Sequence, residues 1–396
     1  MARKKQRDFD RLVKTYLERP IVLYVGAGSS MGDRNCNRGI PGWWGLLGLI
    51  LRKAGEDVSR ADVKALKEKA DPWEAADFVI SKMAGPEKRD CFQDALWAIV
   101  RDPVHYPDVK NPGGRRYKLI NGEFLSRNAT LNAVVAFCGG IDALVGTSGA
   151  TGYFTCRPNR RVRAVLTTNY DPFLEAASTS KYREALLKPV AAYGSDTGSL
   201  RQTPVFHIHG YVPHPHQSTR AIRPFVRDLV MDGASYLEAW NRTDVFGPSM
   251  VHQIHFLRGY SVLFVGFSFL DKKVRQLLKD IDSELDGHDR NHFAFVSKGE
   301  FDRQTATKAD FYEEMGVVPI VYASPRQIPK LLGRLYTAGL TYDHRGVQIP
   351  LEWVTTHSHI PSALERATVS ASGYWNALLR SRLSRTELNT KAFPTT

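Results

Sequence analysis

Cysteine is scarce in this sequence of 396 residues, which contains only Cys36, Cys91, Cys138 and Cys156. None of the four belongs to a Cys-x-x-Cys pair, and no two lie close enough in sequence to form a zinc knuckle. This scarcity argues against a disulfide framework and against a structural zinc site. We therefore expect reduced, mostly buried thiols, as is typical of a cytoplasmic protein, and no zinc cofactor.

Long apolar runs are also missing. No uninterrupted apolar stretch approaches the length needed to span a membrane, and Met1 is followed by charged residues rather than by an apolar signal region. No internal repeat or low-complexity tract is visible either, which argues against a solenoid. These features predict a soluble, cytoplasmic protein with no membrane partner.

Acidic residues are fewer than basic ones, 41 against 54, which gives a formal net charge of +13. Such an excess favours anionic partners, namely nucleotides, nucleic acid or an acidic protein surface. The basic residues are scattered in short clusters along the chain, a distribution more typical of a solvated surface than of a nucleic-acid stripe. Nucleic acid is therefore kept only as a secondary candidate partner.

The stretch Ile21–Trp44 has the physical composition of a phosphate-binding turn. Five apolar residues, 21–25, predict a buried strand, Gly26-Ala27-Gly28-Ser29-Ser30 follows at once, and a helical pattern resumes near Trp43. Glycines let the backbone approach a pyrophosphate, and free N–H groups can point at its charge. Alone, the pattern suits either a nucleotide site or a plain tight turn.

Strands and helices alternate in the second half of the chain, and the strands are continuous apolar runs, as at 163–168, 204–208, 261–267, 292–297 and 317–322. This pattern predicts a doubly wound, Rossmann-like α/β fold with a mostly parallel sheet of about six strands. Residues 1–53 and 161–340 would form this domain, 54–160 a mostly helical insertion, and 341–396 a C-terminal extension offering an oligomer or partner surface. Helices are also predicted over 125–145, 223–258 and 301–315, with a hairpin or strand over 340–354.

Four polar segments follow predicted strands: GAGSS at 26–30, TTNYD at 167–171, HIHG at 207–210 and GFSFLD at 266–271. Ligands of open α/β sheets bind at the carboxyl ends of the strands, so these segments should converge on one crevice. Serine and glycine suit phosphate, asparagine and aspartate suit hydroxyls or water, and one histidine stands beside a glycine that leaves room.

These motifs, in this order, resemble those of the sirtuin superfamily, and most closely its zinc-free SIR2-like branch in bacterial antiphage defence proteins. GAGSS…GIPGWW resembles the first motif, TTNYDPFLE the asparagine motif, HIHG the catalytic histidine motif and VLFVGFSFLD the glycine-serine motif. The resemblance extends over roughly residues 20–340. It implies a Rossmann-like domain that binds NAD as a substrate.

The sequence departs from protein-deacylating sirtuins at two places. Residues 211–260 contain no cysteine, so the four-cysteine zinc module of the deacylases has no counterpart. Deacylases also read GIPDF after the glycine loop, whereas here Gly42 and Trp43 follow Pro41, and residues 33–38 resemble a small insertion. Both departures favour NAD breakdown over lysine deacylation.

The resemblance implies catalytic roles for Asn169 and His209. Asn169 would bind a ribose hydroxyl or orient water, and His209, with an unperturbed pKa near 6.5, would act as a general base. The residues expected to bind NAD are Gly26, Ala27, Gly28, Ser29, Ser30, Pro41, Trp43, Thr168, Asp171, Gly266 and Ser268.

Two of the residues in these motifs have alternative interpretations. Asp171 either caps the following helix or orients a reacting group, and Ser268 is either a cap or a contact to the adenosine ribose. Asp271 is expected to cap the next helix. We expect His207 to face the opposite side of the strand from His209 and to have a structural role.

The leading hypothesis is an NAD+ glycohydrolase that releases nicotinamide and ADP-ribose and acts in bacterial antiphage defence by NAD depletion. Because constant activity would kill the cell, the resemblance implies gating by a homo-oligomer or by a separate ATPase or nuclease partner. One alternative is a zinc-free deacylase or ADP-ribosyltransferase. Another is non-enzymatic, either a sensor of NAD or ADP-ribose or a basic scaffold for nucleic acid.

Overall fold

The computed structural model describes residues 2–31, 42–53, 72–83, 87–100, 128–142, 155–182, 187–190, 202–212, 229–241, 248–284 and 292–345. The strands are β1 (Ile21–Val25), β2 (Gly139–Asp142), β3 (Thr155–Pro158), β4 (Val162–Thr167), β5 (Leu187–Val190), β6 (Thr203–His207), β7 (Ser261–Val265), β8 (His292–Ser297) and β9 (Val317–Tyr322). The helices are α1 (Ala2–Glu18), α2 (Trp43–Lys53), α3 (Pro72–Lys82), α4 (Lys88–Val100), α5 (Ala129–Cys138), α6 (Phe173–Tyr182), α7 (Gly233–Asn241), α8 (Pro248–Gly259), α9 (Lys272–Glu284), α10 (Lys298–Thr307) and α11 (Gln327–Arg345).

Seven strands form one sheet in the order β5-β6-β4-β1-β7-β8-β9, and each neighbouring pair is parallel. Strand β1 lies in the middle, with β4 on one side and β7 on the other. The chain therefore winds first to one side of β1 and later to the other, which makes the β1/β7 boundary a topological switch point. The predicted doubly wound, Rossmann-like α/β class is confirmed.

Both faces of the sheet are covered, and β1 shows how. Ile21, Leu23 and Val25 belong to one buried cluster, which includes residues of α1, α2, α5 and α11. Val22 and Tyr24 belong to a second cluster with residues of α8 and α9. Because alternate residues of a strand point to opposite faces, a strand buried on both sides must be apolar throughout, as IVLYV is.

The sequence pattern missed the edge strand β5, a four-residue element whose LKPV sequence has no continuous apolar run. The helix predicted over 223–258 is wrong at 229–232, because the Asp232 carboxylate accepts from the Ser235 N–H at 2.6 Å and α7 begins only at Gly233. The helix predicted over 301–315 ends at Thr307, and a separate short turn, Glu313–Met315, precedes Gly316 at φ 60°.

Two further boundaries differ from the prediction. The helix expected to run to residue 145 ends at Cys138, where Gly139 and Gly140 begin the antiparallel β2–β3 hairpin. Residues 340–345, predicted as hairpin or strand, continue α11, while the rest of 340–354 lies outside the described residues. The backbone of Gly339 lies against the Tyr16 ring, so this glycine is a helix–helix contact and not a helix terminator.

No helix in the described part of the chain combines the length and apolarity that crossing a membrane requires.

Candidate active site

A cleft of about 550 Å³ lies along the carboxyl ends of β6, β4, β1, β7 and β8. With strands about 4.8 Å apart, the four steps from β6 to β8 span about 19 Å, long enough for an extended dinucleotide. Its volume is within the range of small-molecule sites. Residues of α2, the start of α3 and the end of α4 line the cleft opposite the strand ends.

The two glycine turns pack directly against each other at the β1/β7 switch point. A Cβ on Gly26 would lie 2.5 Å from the carbonyl oxygen of Gly266, and one on Gly266 would lie 2.6 Å from the Ser29 nitrogen. Gly266 also has φ +66°, a conformation that side chains disfavour. The glycines are therefore required for the two turns to approach closely.

This packing changes the predicted role of the turn's N–H groups. Gly26 N donates to Val265 O at 2.9 Å, Gly28 N to Gly266 O at 2.9 Å, and Ser29 and Ser30 donate to carbonyls within the turn. These four N–H groups are already used, so the expectation that free amides of the turn point at a phosphate is wrong for them. The side chain of Ser30 and the exposed backbone at Ala27 and Gly28 remain on the cleft wall.

Asn169 is buried at the end of β4, with its amide held against the glycine turn. Its Nδ2 donates to Ser30 Oγ at 2.9 Å and lies 3.3 Å from Gly26 O. A carbonyl only accepts, so this contact fixes which side of the amide carries the hydrogens. The other atom, Oδ1, is buried and has no hydrogen-bond partner among the described residues, which leaves an acceptor for a ligand at the cleft.

Asp171 both caps a helix and lines the cleft, so both interpretations of this residue apply. Its Oδ1 accepts from the Phe173 N–H at 3.1 Å at the start of α6 and from Ser30 Oγ at 3.3 Å. Burial raises the pKa of this carboxyl to about 6, although these two hydrogen bonds and the nearby His207 oppose the rise. A polar chain thus runs from Asn169 through Ser30 to Asp171.

Asp171→Asn is expected to remove a pH-dependent cost to stability. The pKa of Asp171 is about 6 in the folded state, against an ordinary value of 3.8. The protonated Asp171 carboxyl therefore stabilises the parent protein fully at low pH, and this stabilisation is lost as pH rises through 6. That difference corresponds to about 3 kcal/mol at neutral pH. Denaturant unfolding of the parent protein and of Asp171→Asn across this pH range measures the difference in unfolding free energy. The comparison isolates Asp171, since the asparagine oxygen keeps both contacts and the other carboxylates contribute equally in the two proteins.

A constant difference in unfolding free energy between Asp171→Asn and the parent at every pH would contradict this assignment.

His209 lies at the opposite end of the cleft from β8, held by aromatic rings. Trp73 of α3 meets the imidazole edge-to-face at a centroid distance of 5.1 Å and stacks on Tyr236 at 4.4 Å. The ring nitrogens of His209 have no hydrogen-bond partner among the described residues, and burial lowers its pKa to about 3. The unperturbed value near 6.5 assumed from the sequence is therefore wrong for this site, and the imidazole is neutral at physiological pH.

His207 is buried, as expected of a structural residue, but it contacts the site. Its Nδ1 donates to the backbone oxygen of Asn169 at 2.8 Å, and its Nε2 lies 2.9 Å from Glu175 Oε1. The expectation of opposite strand faces is wrong, because residues two apart in a regular strand share a face and because β6 ends at His207, with residues 208 and 209 in a turn. The two histidines are thus on either side of a bend and not on opposite faces of a strand.

The far end of the cleft contains residues that the sequence pattern did not single out. Ser297 ends β8, Glu300 and Arg303 lie in the following helix α10, and Tyr322 ends β9. The Ser297 hydroxyl caps α10 by accepting from the Glu300 N–H, and Arg303 pairs with the Glu300 carboxylate. A carboxylate beside the carboxyl end of a strand can accept hydrogen bonds from ribose hydroxyls. The strand-then-Ser-x-x-Glu pattern at 297–300 was the available signal.

Most predicted site residues line the cleft: Ala27, Gly28, Ser30, Trp43, Thr168, Asn169, Asp171, His209, Gly266 and Ser268. Gly26 and Ser29 do not line it but support it from below through their contacts with Gly266 and Asn169. Asp271 caps α9, as predicted, by accepting from the N–H groups of Lys273 and Val274. Pro41 and residues 33–38 lie outside the described residues.

Trp73, Tyr170 and Tyr236 are aromatic residues around His209 that the sequence pattern did not single out. Trp73 follows Pro72 in an ordinary helical pattern, and Tyr236 reaches the site only because α7 packs on α3. Tyr236 donates its hydroxyl to Asp271, which connects this aromatic wall to the glycine-serine segment. Within the described ranges no group of three or more His, Cys, Asp or Glu side chains could hold a metal ion.

Comparison with known proteins agrees with this geometry. Residues 163–320, which include Asn169, His209 and Gly266, match the model of the SIR2-like domain. Over 145 residues the chain is 28% identical to the NAD(+) hydrolase ThsA of Bacillus cereus (strain MSX-D12). That alignment covers 37% of this chain and 27% of the relative, so the chain spans little more than a quarter of that protein's length.

Proposed function

We propose that this protein is an NAD+ glycohydrolase, which converts NAD+ and water to nicotinamide, ADP-ribose and a proton. The observation that carries the proposal is the meeting of Asn169 and His209 in one cleft beside the glycine turns of a SIR2-like domain. The likeness to a protein named as an NAD(+) hydrolase supports the same activity.

The two ends of the cleft suit the two halves of the dinucleotide. Trp43, Trp73 and Tyr170 surround His209 with aromatic surface, which suits the flat, positively charged nicotinamide ring. Glu300 at the other end offers a carboxylate for the adenosine ribose hydroxyls. The pyrophosphate would then cross the glycine turns near Ser30 and Ser268, where the Ser268 hydroxyl can donate to it.

The departure of nicotinamide, the first event of the reaction, needs little help from a base. Nicotinamide leaves as a neutral molecule from a pyridinium, so no general acid is needed, and the ribose passes through an oxocarbenium-like transition state. The unpartnered Oδ1 of Asn169 can accept from a ribose hydroxyl or from the attacking water. A neutral His209 can accept the proton from water as the C–O bond forms. Since its pKa is low, this transfer must accompany attack and cannot precede it.

The test is chromatography of products after NAD is incubated with the purified full chain, alone and with any protein encoded next to it. Wild type should yield nicotinamide and ADP-ribose in equal amounts, and His209→Ala should lower the rate by about 100-fold or more, in the range of a lost general base. His255→Ala is the matched control, because His255 lies on α8 in a separate shallow surface pocket.

The proposal fails if wild type consumes no NAD under either condition and His209→Ala behaves identically. An acylated lysine peptide added to the same reaction separates the alternative activity. Transfer of the acyl group to ADP-ribose would identify a deacylase, whereas unchanged peptide alongside free ADP-ribose identifies the hydrolase.

We further propose that the activity serves bacterial antiphage defence by NAD depletion and is gated by assembly or by a partner ATPase or nuclease. A fall in free NAD that occurs in cells expressing the protein only after phage challenge would support this role. Equal NAD loss with and without phage would contradict the gating.

A further inference from the structure

A buried imidazole and a buried carboxylate lie directly behind Asn169. His207 is the last residue of β6, and Glu175 is in the first turn of α6. Their side chains are 2% and 8% exposed, and His207 Nε2 lies 2.9 Å from Glu175 Oε1. On the other side of the ring, His207 Nδ1 lies 2.8 Å from the backbone oxygen of Asn169.

The identity of these partners fixes the protons. The Asn169 carbonyl can only accept, so Nδ1 of His207 must carry a hydrogen. Nε2 then faces a carboxylate oxygen, which also accepts when ionised, and two bare acceptors at hydrogen-bond distance would repel each other. A proton must therefore lie between Nε2 and the carboxylate, as in an imidazolium–carboxylate pair. Burial opposes this state, but Glu175, the Asn169 carbonyl and Asp171 together raise the pKa of His207.

The backbone of Asn169 is thereby held from both sides. Its carbonyl accepts from His207, and its N–H donates to Thr167 Oγ1 at 3.1 Å, while that hydroxyl donates to Val25 O at 2.8 Å. With the backbone fixed between β6 and β1, the side-chain amide meets Ser30 and Gly26, and its Oδ1 has no partner within the part of the chain that the structure describes. A small rotation of this peptide would displace that oxygen from the cleft.

We infer that His207 and Glu175 form a positioning pair, a protonated imidazole bonded to a carboxylate, which holds Asn169 in its productive orientation. Neither residue lines the cleft, so both act through Asn169 and not on the substrate. This inference rests on the proposed function for its kinetic consequences, but its structural basis can be measured without any substrate.

The kinetic test compares two replacements of Glu175. Glu175→Gln keeps a contact without charge, because the amide can donate to Nε2 of a neutral His207 that still donates from Nδ1 to Asn169. It should keep kcat for NAD cleavage within about threefold, whereas Glu175→Ala should lower kcat about 10- to 100-fold with KM changed less than about threefold. Glu284→Ala is the control, since it removes an exposed pair with Arg258 and should change neither constant.

The structural test is imidazole nitrogen NMR of the wild-type chain at neutral pH. His207 should show both ring nitrogens protonated, and in Glu175→Gln it should become neutral with the hydrogen on Nδ1. Rates are referred to the folded fraction measured by circular dichroism, so that poor folding of Glu175→Ala does not imitate a loss of kcat.

Three results would overturn the inference: a neutral wild-type His207, an alanine variant with unchanged kcat per folded molecule, or a glutamine variant as slow as the alanine one. If wild type cleaves no NAD, the proposed function fails, and the NMR measurement still decides whether the pair holds its proton.

Discussion

Asn169→Ala is expected to lower kcat for NAD cleavage by about 100- to 1,000-fold while the chain still folds. Asn169 follows β4 and lines the cleft, and its Oδ1 has no hydrogen-bond partner among the described residues, while its Nδ2 is fixed by Ser30 and Gly26. Because the acceptor is already oriented in a buried site, its interaction with a ribose hydroxyl or water carries little reorganisation cost. Its removal should therefore act mainly on kcat and less on KM.

The matched control for this variant is Asn159→Ala. Asn159 is also buried, and its amide donates to Tyr16 Oη and Phe137 O at 2.8 Å each, but it does not line the cleft. Removing it leaves two acceptors without that donor and should cost about 1–3 kcal/mol of stability. Turnover per folded molecule should stay unchanged. Steady-state kinetics and denaturant unfolding of both variants separate the two effects, and full turnover by Asn169→Ala would remove Asn169 from the mechanism.

The convergence of the four polar segments is predictable from the sequence because strand order constrains it. Once the apolar runs are identified as parallel strands, the segments at 26–30, 167–171, 207–210 and 266–271 must lie along one sheet edge. The structure brings these segments together in one cleft, including Asn169 and His209. The capping role of Asp271 is local in sequence and is likewise predictable.

Properties that depend on long-range packing were not predictable. The pKa of His209 is set by burial beside Trp73 and Tyr236, two residues from distant helices whose approach no local pattern reveals. The hydrogen bonds that occupy the N–H groups of the first glycine turn depend on the segment at Gly266, which lies some 240 residues after Gly26 in the sequence (266 against 26). The side-chain directions of His207 and His209 depend on where β6 ends, because a turn at residues 208 and 209 replaces the regular geometry of a strand.

Gly26→Ala is expected to destabilise the fold and abolish cleavage together, because its contact is backbone against backbone. The added Cβ would lie 2.5 Å from Gly266 O and 2.8 Å from the Cα of Phe267. Neither atom can rotate away as a side chain would, so the β1 and β7 turns must separate. We expect a loss of about 3 kcal/mol or more, which corresponds to a Tm lower by roughly 6–12 °C. Thermal unfolding and NAD turnover are the measurements.

Gly299→Ala is the matched control for the same substitution. Gly299 lies within α10, and a Cβ there meets nothing within 4 Å. Because alanine restricts the unfolded chain and favours the helix, this change should stabilise the protein by about 0.5–1 kcal/mol without affecting turnover. The stability changes expected for the two substitutions have opposite signs, which distinguishes close packing of the glycine turns from a general effect of losing glycine. A Gly26→Ala protein as stable and active as Gly299→Ala would show that the two turns can separate without cost, and the tight β1/β7 junction would then have no part in shaping the cleft.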